Sequence, residues 1–158
     1  IRLMFPMINQ IEELDVLFDY IEECKTSLLD EEKGFGELSY GIVVETLAAV
    51  LNLESMLTRL DFISIGTNDL TQYTMAADRT NPALTGQYPS LSPAVLTLVN
   101  ATITLAKKYN VSVSLCGELA SDPKVAPLLV GMGIDELSVN PCALLEVKSA
   151  LRNIQYIS

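Results

Sequence analysis

The chain has 158 residues, 49% of them apolar and 19% charged, enough for a packed core and too few charges for a disordered segment. Ten Lys plus Arg stand against twenty Asp plus Glu, a net charge of −10, which excludes a nucleic-acid surface built on clustered cations. No apolar run reaches the roughly 18 residues of a membrane span, and the lack of any His removes the commonest neutral-pH base and transition-metal ligand.

Short apolar runs alternate with stretches of helical period. Arg2 to Ile8 reads as a buried strand. Ile11 to Leu29 reads as an amphipathic helix, with Ile11, Leu14, Leu17, Phe18, Ile21 and Leu28 near one face. Residues 33–40 are expected to form a polar loop, 41–44 a second strand and 46–57 a helix. Phe62 to Ile65 is a third strand, followed by a polar turn over Gly66, Thr67, Asn68 and Asp69 and a short helix from Leu70 to Ala76. Asp78 to Pro93 is a long loop rich in Pro, Gly and Asn, a length that often marks function.

Ser92-Pro93 predicts a helix start, Pro being favoured at the first helical position, and that helix runs to Tyr109. Val111 to Leu115 is a fourth strand. Asp122-Pro123 opens a further helix to Val130, Glu136 to Val139 is a fifth strand, and Ala143 to Asn153 a last helix. The strands are apolar on both faces, as in parallel sheets covered by helices. Two architectures fit a β-α unit repeated five times: an open doubly wound sheet, or part of a (β/α)₈ barrel, which needs eight strands and ~250 residues. No GxGxxG or GxxxxGK[ST] follows a strand, so nucleotide-binding loops of those kinds have no support.

Polar residues gather at the strand ends. Strand two ends in Glu45, strand three in Asn68 and Asp69, strand four in Cys116 and Gly117. In parallel α/β folds these ends share one face, and that face carries the chemistry. Glu45 and Asp69 are hard oxygen donors on adjacent strands and suit Mg²⁺, which keeps waters and takes further oxygens from its substrate. Each carboxylate could instead cap the helix after it. Arg79, about ten residues past Asp69, could fold over the mouth and grip an anion, or pair with Asp78 or a surface carboxylate. Cys116 could be a small buried core residue or, at a strand end, a proton donor. Cys24 and Cys142 are expected to be structural. Three cysteines without CxxC spacing argue against a disulfide framework and for a reducing cytoplasm. Ile1 opens on an apolar run with no basic segment ahead of it, so a signal peptide is not expected, and the missing initiator Met suggests a piece of a longer chain.

Ile65-Gly66-Thr67-Asn68-Asp69-Leu70-Thr71-Gln72-Tyr73, preceded by Phe62-Ile63-Ser64 and followed by Asp78-Arg79, resembles the central signature of the PEP-utilising enzymes. That family includes Enzyme I of the bacterial sugar phosphotransferase system, phosphoenolpyruvate synthase and pyruvate phosphate dikinase. Met4 to Met7, Gly41 to Thr46, Cys116 to Ala120 and Gly131 to Ser138 match in the family's order, and Tyr73 with the Asp78-Arg79 spacing is nearer to the Enzyme I branch. Leu47 stands where the family commonly has Pro, which should alter only the helix start. The loop around Gly86 also departs from the family's usual one.

The resemblance implies the later portion, about five β/α units, of a phosphoenolpyruvate-binding (β/α)₈ barrel. It implies Mg²⁺ held by Glu45 and Asp69, substrate held by Asn68 with the backbone at Asp69, the phosphoryl group contacted by Arg79, and protonation of enolpyruvate by Cys116. The implied parent moves phosphate from phosphoenolpyruvate to a His of an upstream domain, serves a phosphocarrier protein in sugar uptake and forms a homodimer. The upstream domain and the early barrel strands are absent here, so the chain alone is expected to be inactive. Two other readings stand beside this one: an enzyme of the synthase or dikinase type, and in isolation a non-catalytic dimerising module.

Overall fold

The computed structural model describes residues 1–78, 81 and 91–154. Five strands, β1 (Arg2–Phe5), β2 (Ser39–Val44), β3 (Phe62–Gly66), β4 (Ser112–Cys116) and β5 (Glu136–Leu137), form one sheet. All neighbours are parallel and the spatial order follows the chain order, β1-β2-β3-β4-β5. A doubly wound sheet reverses its strand order at a switch point. A sheet that adds each new strand on the same side is a segment of a barrel wall, so the barrel alternative is the one that holds.

Helices α1 (Ile11–Asp30), α2 (Leu47–Leu57), α3 (Thr67–Met75), α4 (Pro93–Lys108), α5 (Ala126–Gly131) and α6 (Leu144–Arg152) connect or follow the strands. Their ends follow sequence chemistry. The Thr46 hydroxyl accepts from the Ala49 N–H at 3.0 Å, and Leu47 opens α2. The Ser92 hydroxyl caps α4, with Pro93 as its first residue. No helix among the described residues is long and apolar enough to cross a membrane.

The register divides the sheet into two faces. Ile42, Ile63 and Val113 form one row and Val44, Ile65 and Leu115 the next, every one of them fully buried and packed with Leu53, Met56 and Ile103 of the helices. The other face carries Gly41, Phe62 and Ser112, then Val43, Ser64 and Ser114, then the strand-end level of Gly66 and Cys116. This lumenal face is smaller and more polar than strands apolar on both sides would give. Gly41 is required in it: a Cβ there would lie 2.4 Å from the Phe62 ring.

The Arg2 guanidinium lies 3.9 Å from the Phe62 ring centroid and 3.8 Å from the Glu136 carboxylate. Arg2 belongs to β1 and Glu136 to β5. In a flat sheet these strands would stand four spacings, about 19 Å, apart, farther than the two side chains jointly reach. The sheet is therefore strongly curled. In an eight-stranded cylinder the first and fifth strands face each other across the lumen, which is the relation seen here.

Several boundaries differ from the sequence-based expectation. The first strand stops at Phe5 rather than Ile8, because Pro6 has no N–H for the ladder and Met7 adopts φ +57°. The second strand begins at Ser39, inside the expected loop. The polar turn over residues 66–69 is the first turn of α3, so Asn68 and Asp69 sit on a helix rather than at the end of a strand. Asp122-Pro123 opens no helix: Glu118–Ser121 is a 3₁₀ turn and α5 starts only at Ala126. β5 is short, although Asp135 N–H to Val113 O at 3.0 Å and Ser138 N–H to Leu115 O at 2.9 Å extend its pairing. Cys24 and Cys142 are exposed free thiols, not core residues. Arg79 and Gly86 lie outside the described residues.

Candidate functional site

β2 ends at Val44, which pairs with Ile65, so the next residue, Glu45, stands level with Gly66. Gly66 in turn pairs with Cys116. Glu45, Gly66 and Cys116 thus occupy one level on three adjacent strands, at the carboxyl end of the sheet. Two strand spacings, about 10 Å, separate the carboxylate from the thiol. Both lean toward the strand between them. The Cys116 thiol points at the Ile65 carbonyl at 3.5 Å, and Ser114 Oγ makes the matching contact to the Ile63 carbonyl at 3.2 Å one pleat earlier.

Glu45 is buried to 8% exposure, yet it caps no helix, since Thr46 does that for α2. Its Oε1 accepts the Met7 N–H at 2.8 Å, and its Oε2 accepts no hydrogen bond among the described residues. The side chain passes over Gly66. A Cβ on Gly66 would come within 3.0 Å of the Glu45 Cβ, 3.1 Å of Oε2 and 2.9 Å of a Val43 methyl. The missing side chain is thus the space the carboxylate uses. A mostly buried carboxylate with one oxygen anchored leaves the other to solvent or to a cation.

The residues after β3 are fixed by β4. Thr67 is fully buried; its hydroxyl donates to the Cys116 carbonyl at 2.9 Å, and its own carbonyl accepts from Thr71 Oγ1 at 2.7 Å. Asn68 Oδ1 accepts the Glu118 N–H at 3.1 Å, which leaves its Nδ2 as a pair of donors for an anionic oxygen. Between these contacts sits Gly117 at φ +109°, where a Cβ would fall 2.4 Å from Thr67 Oγ1. Neither the conformation nor the space admits a side chain. Asp69 follows in the first turn of α3, half-buried, with no hydrogen bond or ion pair among the described residues.

The fold therefore gathers Glu45 and Cys116 at one level, with Asn68 and Asp69 in the turn that directly continues β3. The hard-oxygen donors fit Mg²⁺, which binds through one or two carboxylates and fills its octahedron with water and substrate oxygens. No group of three or more His, Cys, Asp or Glu that could hold a metal alone occurs among the described residues, so water and substrate oxygens would have to complete the sphere. The sequence singles out neither the space at Gly66 nor the buried hydroxyl of Thr67 as parts of this arrangement. A double glycine signal at strand ends, Ile65-Gly66 and Cys116-Gly117, was the one hint available.

A family model described as PEP-utilising enzyme, PEP-binding domain, matches residues 1–156. The chain is 42% identical over 153 residues to the multiphosphoryl transfer protein of Rhodobacter capsulatus, covering 97% of this chain and 18% of that protein. It is 38% identical over 157 residues to the phosphoenolpyruvate-protein phosphotransferase of Haemophilus influenzae, covering 99% and 27%. The chain thus spans about a quarter or less of the curated relatives it matches. In fold it is similar to a pyruvate kinase from Pyrobaculum aerophilum, with a TM-score of 0.66 at 18% identity, over 99% of this chain and 36% of that one.

Proposed function

Because the chain belongs to the PEP-binding domain family of the PEP-utilising enzymes, we propose that it forms the substrate-holding wall of a phosphoenolpyruvate–protein phosphotransferase. In that reaction the bond from phosphorus to the enol oxygen of phosphoenolpyruvate breaks. A bond from phosphorus to an imidazole nitrogen forms, on a His of an upstream domain, and enolpyruvate is left to take a proton and become pyruvate. A phosphocarrier protein then takes the phosphoryl group from that His.

The residues divide the work. Glu45 and Asp69 would hold Mg²⁺; when bound, the ion neutralises charge on the phosphoryl and carboxylate oxygens. Asn68, its side-chain carbonyl already engaged by the Glu118 N–H, would offer its two amide N–H donors to an anion. Arg79, outside the described residues, would add a guanidinium to the phosphoryl group. Cys116 would deliver its thiol proton to the methylene carbon, and the thiolate left behind would take a proton back from water. Thr67 holds the Cys116 carbonyl, and with it the strand end from which the thiol projects.

The observation that carries this reading is the shared level of Glu45, Gly66 and Cys116 on adjacent strands, with Asn68 and Asp69 in the next turn. The test uses the full-length parent. It should form pyruvate from phosphoenolpyruvate only with Mg²⁺, and Cys116→Ala should slow pyruvate formation by roughly 10²-fold or more, the usual scale for losing a positioned acid. Wild-type turnover in Cys116→Ala would remove the thiol from the mechanism. Ion-independent turnover would remove the carboxylates.

A further inference from the structure

We propose that Asn9 is a positioning residue for Glu45, acting through the backbone N–H of Met7. The inference rests on reading Glu45 as an ion-holding carboxylate. Glu45 Oε1 is anchored by the Met7 N–H at 2.8 Å. Met7, which supplies that N–H, adopts φ +57°, a conformation unfavourable for a side chain of its size. Something must hold it there, and Met7 itself is exposed, so core packing is not the cause.

Asn9 supplies the hold. Its Nδ2 donates to the Met7 carbonyl at 2.8 Å, and its Oδ1 accepts the hydroxyl of Thr46. Thr46 is the residue directly after Glu45. One amide therefore ties the peptide that leaves Met7, the residue offering the N–H, to the residue that follows the carboxylate. Its backbone is fixed as well: the Asn9 carbonyl accepts from Asn52 Nδ2 of α2 at 2.9 Å.

The side chain is not needed to start α1. A reciprocal pair of contacts between Gln10 and Glu13 caps that helix, and the Asn9 N–H merely joins it through Glu13 Oε2 at 2.6 Å. Both polar atoms of the Asn9 amide are spent on Met7 and Thr46. With Oε1 fixed, Oε2 is the one oxygen of Glu45 left for a ligand, and its direction over Gly66 is set. Without Asn9, Met7 can relax to negative φ and turn its N–H away. Glu45 then rotates and presents the ion a carboxylate with no preset direction.

The experiment titrates Mn²⁺, a paramagnetic stand-in for Mg²⁺, into the full-length parent and its variants, reading free ion by electron paramagnetic resonance without substrate. Asn9→Ala should bind Mn²⁺ roughly 10-fold more weakly, the lower end of what loss of an outer-shell partner costs a metal site. Its urea midpoint should stay near the wild-type value. Should Asn9→Ala not fold, Asn9→Asp keeps the acceptor for Thr46, loses the donor to Met7, and must show the same direction. Wild-type Mn²⁺ affinity in the folded variant overturns the proposal. Glu45→Gln separates the two ideas. If it also binds Mn²⁺ normally, the reading of Glu45 as a ligand fails; if it loses Mn²⁺ while the Asn9 variant does not, only the role of Asn9 fails.

Discussion

At the scale of single residues, the site depends on what is missing as much as on what is present. Gly66 leaves room for Glu45, and Gly117 leaves room for Thr67. Gly66→Ala would place a methyl 2.9 Å from Val43 and 3.1 Å from Glu45 Oε2. We expect a stability loss of about 1–3 kcal/mol from this overpacking, read by urea denaturation. We also expect a higher Mg²⁺ concentration for half-maximal activity in the parent. A Gly66→Ala protein with an unchanged Mg²⁺ requirement would show that the carboxylate does not use that space. The placement of Glu45 and Cys116 at strand ends was legible in the sequence because both stand directly after apolar runs. Asn9 and Thr67 were not. Their partners lie 37 and 49 residues away in the chain, and an Asn or Thr near a strand end reads equally well as turn chemistry.

At the scale of elements, one device recurs. Asp61, just before β3, accepts the Tyr40 N–H at 2.7 Å and donates its own N–H to the Tyr40 carbonyl at 2.9 Å. Asp135, just before β5, accepts the Val113 N–H at 2.9 Å and donates to the Val113 carbonyl at 3.0 Å. Each aspartate thereby locks the lower end of one strand pair. Asp61→Ala should cost about 1 kcal/mol, the net worth of one such bond, in the unfolding free energy. Asp135 is also held below the usual carboxylate range, first by the Lys107 ammonium and then by the Val113 N–H. Its folded-state pKa lies below the unfolded one, so its stabilisation is complete above about pH 4 and fades as pH falls through the native value. Asp135→Asn should therefore be less stable than the parent sequence at pH 7, with the gap closing toward pH 3. An equal gap at both pH values would deny the charge any part in it. The strands themselves were readable because the rows facing the helices, Ile42, Ile63 and Val113, then Val44, Ile65 and Leu115, are wholly apolar. The first turn of α3 was not, because Gly66-Thr67-Asn68-Asp69 has turn composition. Its polar side chains are drawn off by β4 and leave the backbone free to coil. The start of α5 was misplaced for the opposite reason. Asp122 has the chemistry of a helix cap but spends its carboxylate on the Lys124 N–H at 2.8 Å in a local turn.

At the scale of the molecule, the order of the five strands and the contact from β1 to β5 describe a curved wall. The Arg2–Glu136 pair is too exposed to stabilise much, since such surface pairs are worth about 0–1 kcal/mol, so it marks the curvature without causing it. Among the described residues β1 pairs only with β2 and β5 only with β4, which leaves two free sheet edges. Free edges recruit other strands. A version of the chain extended by the preceding segment of its parent should melt at a higher temperature than residues 1–158 alone, and light scattering should show the short form associating. Equal melting temperatures and a clean short-form monomer would mean that the edges need no cover. The family membership, the parallel wall and its curl were all implied by the ordered sequence blocks. The polar character of the lumen was not, since Ser64 and Ser114 sit among apolar neighbours that serve the opposite face.

The stacked Arg2 and Phe62, with Glu136 beside them, stand at the amino end of the sheet. The opposite end, beside Glu45 and Cys116, is the one the proposed chemistry would use. Under the proposed reaction, a small anion, its departing keto acid and a bulky imidazole-bearing visitor must all share that threshold. They cannot stand in it together for long. A queue follows: the visitor takes its cargo, steps back, and only then does the leftover acid drain and the next anion enter.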